Sequence, residues 1–153
     1  MKCFRHWLLA CLVILGSSAC TSRPLQSALS PNGRFKVEVV TDDAIPWATV
    51  DVKLQGKTVG SSHDDFNPVV SQITWMPDSK IFGVVVINSV ESDLLFAYDA
   101  ANNREVDFSI VRSAVGEALL ARYSEQAKDD VAAKRDPIRW VRDQVLRTGR
   151  PPK

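Results

Sequence analysis

A chain of 153 residues suits a single domain, and 19 basic against 18 acidic groups leave none of the cationic excess that nucleic-acid binding demands. Its three cysteines, Cys3, Cys11 and Cys20, all fall in the first twenty residues. The rest of the chain therefore offers no internal disulfide, no thiolate metal cluster and no cysteine nucleophile. Stability must come from a hydrophobic core, which 45% hydrophobic residues allow.

Met1–His6 carries Lys2 and Arg5, Trp7–Leu15 is apolar, and Gly16-Ser17-Ser18-Ala19-Cys20 follows. A basic start, a short apolar stretch and a small-residue site make a secretory signal peptide. The apolar stretch falls short of the roughly 20 residues that span a bilayer. The site resembles a bacterial lipoprotein signal, with Ala19 before the cleaved bond and Cys20 as the lipidated residue. Ser17 stands where that family favours Leu. Leu8-Leu9-Ala10-Cys11 matches locally, but it lies too close to Arg5 to leave an apolar region. The resemblance implies cleavage before Cys20 and an acyl anchor, palmitate included, on that cysteine. Thr21 rather than Asp in the next position implies the outer membrane, with the domain facing the periplasm. Ordinary secretion with an unlipidated Cys20 is the other reading. Loss of residues 1–19 leaves 134 residues and a net charge of −1, because Lys2 and Arg5 leave with the signal.

Residues 20–29 read as a short polar tether containing Pro24. Ser30-Pro31-Asn32-Gly33 is a turn signature. Arg34–Val40 alternates, with Phe35, Val37 and Val39 on one face, as a half-buried strand does. After the Thr41–Pro46 loop, Thr49–Leu54 alternates again, and Gln55-Gly56 suits a tight hairpin to Lys57–Val59. Gly60–Pro68 is a polar loop. Val69–Trp75 leads through Met76-Pro77-Asp78-Ser79-Lys80 into Ile81–Ile87, apolar at every position except Gly83. So short and unbroken an apolar run predicts a central strand buried on both faces. Leu94–Tyr98 and Arg104–Ile110 complete a meander. Val111, Val115, Ala118, Leu119 and Arg122 then recur at helical spacing, predicting a helix over 112–133. Asp136-Pro137 opens a second helix with an apolar stripe of Ile138, Val141 and Val145, closed by Gly149. The expectation is one α+β domain over 30–150, an antiparallel β-meander followed by two C-terminal helices.

Ser30-Pro-Asn-Gly-Arg-Phe and Met76-Pro-Asp-Ser-Lys-Ile align at an offset of 46, with Gln26 falling on Gln72. The pattern resembles the TolB-type propeller repeat, in which an apolar or Trp residue precedes Pro-Asp-Gly-Lys and a strand. Trp75-Met-Pro-Asp-Ser-Lys80 is the closer copy, and Tyr98-Asp99 looks like the outer hairpin of such a blade. The resemblance covers about residues 29–110 and implies blade-like hairpins. A closed propeller needs at least about four blades of about 40–45 residues. That stretch suffices for two, so a single twisted sheet is expected. No enzyme residues transfer from the resemblance, because the repeat is a scaffold.

His63 is the sole histidine beyond the signal, beside Ser61, Ser62, Asp64 and Asp65. A Ser-His-Asp hydrolase would need it as base, but triad partners converge from separate loops, and no Gly-x-Ser-x-Gly elbow is present. Asp42-Asp43 with Asp64-Asp65 would offer oxygen ligands to Ca²⁺ if their loops met, without EF-hand spacing. One histidine and no cysteine make a poor Zn²⁺ set. Neither a P-loop nor Gly-x-Gly-x-x-Gly occurs. No catalytic residue, metal or cofactor is therefore assigned. Arg135, Arg139, Arg142, Arg147 and Arg150 form a basic tail, either a solvated helix face or a surface for an anionic or acidic partner. Trp47, His63, Asp64, Asp65, Arg139 and Arg142 are the candidate binding residues. The expected function is a non-enzymatic envelope lipoprotein that binds a protein partner in the periplasm; immunity against a periplasmic toxin is a sharper form. A periplasmic hydrolase or metal-dependent enzyme built on His63, and a structural component of an envelope complex, are the alternatives.

Overall fold

The computed structural model describes residues 22–42, 49–62, 67–90 and 92–153. Among these residues eight strands come first: β1 (Ser22–Leu29), β2 (Lys36–Asp42), β3 (Thr49–Leu54), β4 (Lys57–Ser62), β5 (Pro68–Trp75), β6 (Ile81–Asn88), β7 (Leu94–Asp99) and β8 (Arg104–Glu105). Four helices follow: α1 (Arg112–Arg122), α2 (Ser124–Ala127), α3 (Val131–Arg135) and α4 (Pro137–Thr148). The strands form two antiparallel sheets in chain order, β1-β2-β3-β4 and β5-β6-β7-β8. This is the α+β meander that the patterning predicts, with one correction: there are two sheets, not one. The reason is burial. Val37, Val39, Val50, Val52 and Leu54 line one face of the first sheet, and a single open sheet would leave that face in water. Instead it packs on Ile73, Phe82, Val84, Val86, Phe96 and Tyr98 of the second.

Strand β6 serves two cores at once, as its unbroken apolar run demands. Phe82, Val84 and Val86 face the first sheet. Val85 and Ile87 point the other way, joining Val115 and Leu119 of α1 and Ile138, Trp140, Val141 and Val145 of α4. The molecule is thus three layers: sheet, sheet, helices. Beyond the first sheet the outer surface is polar, with a Lys36–Glu38 ion pair at 2.8 Å and a Ser61–Asp51 hydrogen bond at 2.6 Å.

The echo at an offset of 46 is a repeat in three dimensions. In the first turn Gly33 N donates to Ser30 O at 2.8 Å, Ser30 N to Phe35 O at 2.8 Å, and Arg34 N to Asn32 Oδ1 at 3.0 Å. The second turn repeats them: Ser79 N to Met76 O at 2.9 Å, Met76 N to Ile81 O at 2.8 Å, and Lys80 N to Asp78 Oδ1 at 3.0 Å. Gly33 and Ser79 hold the same left-handed backbone, with φ of 70° and 61°. The two copies touch. Asn32 N donates to Ser79 Oγ at 3.1 Å, and Ile73 N donates to the Gln26 side chain at 2.9 Å, so β1 and β5 run side by side.

Three expectations are corrected. Residues 22–29, read as tether, are strand β1, paired with β2 from Ser22–Asp42 to Leu29–Lys36. An irregularity between Pro24 and Gln26 accommodates a residue without a backbone N–H. The polarity of this stretch belongs to an exposed edge, and Ser22–Leu29 is part of the folded sheet rather than a tether. The helix expected over 112–133 breaks at Tyr123 (φ −115°, ψ 32°) and again at Asp130, giving α1, α2 and α3. The strand expected over 104–110 ends at Glu105. Asp107 then accepts a hydrogen bond from Ser109 N at 2.7 Å and starts a 3-10 turn at Phe108–Ile110 that lifts the chain off the sheet. The second predicted helix stands as read: Asp136 caps α4, Pro137 occupies its first turn, and Gly149 closes it at φ 65°.

Candidate functional site

Helix α4 carries the site. Its apolar stripe is spent on the core, with Ile138, Trp140, Val141 and Val145 all buried. What remains outward is Arg139, Asp143, Leu146 and Arg147, with Arg142 half-buried at one side. Leu146 breaks the pattern, because an apolar side chain on the polar face is 42% exposed. Across from it lies Leu95 of β7, also 42% exposed. Both line a groove of about 460 Å³ walled by Arg112, Arg139 and Arg142 and by Asp93, Asp136 and Asp143. On the other side of α4, Asp130, Arg135, Trp140 and Arg147 help to line an open cleft of about 950 Å³.

The charges in this region are largely paired. Arg112 binds Asp136 at 3.0 Å, Arg142 meets Asp93 at 3.4 Å, and Arg139 reaches Asp143 one turn on at 4.0 Å. Asp93 is the most enclosed of these carboxylates. Its burial raises its pKa and outweighs the backbone hydrogen bond from Asn88 and the attraction of Arg142. Asp130 is the opposite case. It accepts from the Trp140 indole at 2.7 Å and from Ala132 N at 2.8 Å, and these bonds hold its pKa down. A carboxylate that caps α3 and pins Trp140 in this way has a structural occupation. The arrangement offers recognition chemistry: guanidiniums for carboxylates, carboxylates for cations and two leucines as an apolar floor. Among the described residues, no group of three or more His, Cys, Asp or Glu side chains is placed to hold a metal ion.

Of the residues singled out from the sequence, the structure brings Arg139 and Arg142 together at this groove. Cys20, Trp47, His63, Asp64 and Asp65 lie outside the described residues. So does Asp43, while Ser61 donates its hydroxyl to Asp51 on β3. Sequence reasoning missed Leu95, Leu146, Asp93 and the Arg112–Asp136 pair. The signal for Leu146 was present: it falls one position past the stripe of positions 138, 141 and 145. Arg112 and Asp136 are 24 residues apart, and only the fold joins them.

Charge is distributed unevenly along the chain. Residues 111–153, which form the helical layer, hold ten basic and six acidic side chains, seven and two of them within residues 131–153, whereas residues 22–110 hold seven basic and twelve acidic ones. The helical layer is therefore the cationic pole of a nearly neutral molecule. No protein-family model, curated protein or solved structure matches the chain.

Proposed function

We propose that this protein is a non-enzymatic lipoprotein of the cell envelope, anchored through Cys20 and facing the periplasm, whose domain binds a protein partner through the groove between β7 and α4. The observation that carries the binding reading is the joint exposure of Leu95 and Leu146 between the guanidiniums of Arg139 and Arg142. Exposed apolar groups ringed by polar ones mark interaction surfaces, and arginine is enriched where binding energy concentrates. The basic excess of residues 131–153 favours a partner with an acidic rim. The anchor is supported by Ser17-Ser18-Ala19-Cys20 after a basic and then apolar leader. Neutralisation of a toxin delivered into the periplasm is one use that such a module serves, and a toxin gene beside this one would favour it.

The test is a crosslinked pull-down of the tethered protein from its native envelope, read by mass spectrometry. One stoichiometric partner is expected, and Leu146→Asp combined with Arg139→Glu releases it. No partner, under conditions where a known envelope complex is recovered, overturns the proposal. So does a partner that the double variant retains. A hydrolytic activity lost in His63→Ala would replace the reading with an enzymatic one.

A further inference from the structure

We infer that the end of the two-sheet stack where β1 begins rests on the lipid headgroups of the anchoring membrane, so that the domain has no stalk. The inference rests on the lipid anchor proposed above. Cys20 precedes Ser22 by two residues, and two residues of chain span at most about 7 Å however they are arranged. Ser22 is already committed to the sheet, paired with Asp42. A flexible stalk of ten residues, as the sequence of 20–29 would suggest, would set the domain about 17 Å off the lipid. The folded strand removes that slack. The domain can pivot about Cys20 but cannot retreat.

Register shows which strand ends lie nearest the anchor. Ser22 lies opposite Asp42, Asp42 opposite Thr49, and Val50 opposite Ser62, so one end of the first sheet carries Ser22, Thr49 and Ser62. Because β1 and β5 run side by side, Pro68 and its partner Asn88 share that end. There Asn67 N donates at 2.9 Å to Oδ1 of Asn88, which is fully buried, and Asn67 Nδ2 donates to Ser89 Oγ at 3.0 Å, so Asn67 and Ser89 are the polar groups this corner offers outward, with Asp93 behind them accepting from Asn88 N. Val90 beside them is 47% exposed. The hydroxyls of Ser22, Thr49, Ser62 and Ser89 and the Asn67 amide can donate to the ester and phosphate oxygens of a headgroup layer. The paired turns at Ser30–Phe35 and Met76–Ile81 lie at the other end, about 24 Å away along seven steps of β1. The helices cover the face of the second sheet turned away from the first, so the Leu95–Leu146 groove opens on the side of the stack, with its Asp93 wall toward the anchored end.

The mature chain has Cys20 as its sole cysteine, so a second one is a unique label site. Full-length Asn67→Cys and Lys80→Cys proteins, matured in the envelope, are tagged with a fluorophore. They are reconstituted into phosphatidylethanolamine–phosphatidylglycerol vesicles bearing a headgroup nitroxide quencher. The label at position 67 is expected to be quenched about twofold or more beyond the label at position 80, given a height difference of about 24 Å. Equal quenching, or stronger quenching at position 80, overturns the inference. Ser61→Cys and Lys57→Cys on β4 repeat the comparison if the first pair misfolds. The mass of the N-terminal peptide is read on the same preparations. An acyl-free Cys20 removes the anchor itself, and that failure is distinct from an anchored domain lying the other way.

Discussion

A methyl group at position 83 has no room. Built on Gly83, a Cβ would sit 2.6 Å from Val111 Cγ2 and 2.8 Å from Val115 Cγ2, where α1 crosses β6. Gly83→Ala is therefore expected to lower stability by about 1–3 kcal/mol, as overpacking a tight core does. Urea unfolding measures it, and an unchanged midpoint would mean that α1 slides freely on the sheet. Asp130 supplies a second prediction through pH. Its pKa is held below the ordinary carboxylate value, first by the Trp140 indole and then by the Ala132 and Ala133 amides. The sign follows from linkage. A lowered folded pKa gives stability that is present above the unfolded value and lost as pH falls through the folded one. Asp130→Asn should be less stable than the wild type at pH 7, and the gap should close as the medium is acidified below the ordinary carboxylate range. Thermal unfolding across that range checks it, and a gap independent of pH would show that the charge plays no part.

At the scale of elements, the joint between the two sheets is the informative one. Ile73 N has its partner in Gln26 Oε1 at 2.9 Å, and that bond replaces a backbone ladder between β1 and β5. Gln26→Leu strands a half-buried donor, at an expected cost of about 1–3 kcal/mol. Chemical denaturation measures the loss, and a variant as stable as the parent would show that the sheets are held by their apolar faces alone. Gln26 also shows what the sequence revealed and what it hid. Its alignment with Gln72 marked the repeat, yet Ser22–Leu29 still read as tether, because an exposed edge strand lacks the alternation that burial imposes. Strand β6 was legible for the opposite reason: both its faces are buried, so every residue reports its environment. The breaks between α1, α2 and α3 were partly legible. Asp130 before Val131-Ala132-Ala133 is a capping pattern, but helical periodicity upstream masked it. The groove was least legible, since Leu95 and Leu146 come to line one groove only when α4 packs over β6, beside β7.

On the scale of the molecule, the helices do for the second sheet what a further sheet would do in a longer stack. The first sheet ends in a polar outer surface and needs no cover. The second sheet ends in Val70, Val85, Ile87 and Ala97, which only the helical layer buries. Each buried valine or isoleucine contributes about 1.5–3 kcal/mol. Three of them together rival the whole stability of a typical domain, about 5–15 kcal/mol. A chain ending at Ile110 should therefore fail to fold as a soluble monomer, although it retains both sheets. Because β6 belongs to both cores, the full chain should unfold in one cooperative transition, with the sheet and helix signals in circular dichroism lost together. Size-exclusion chromatography of the shortened chain decides the point. Aggregation or an unfolded elution volume is expected. A compact, cooperatively unfolding monomer would instead make the paired sheets a self-sufficient unit, with the cationic helical layer an addition that serves binding rather than folding.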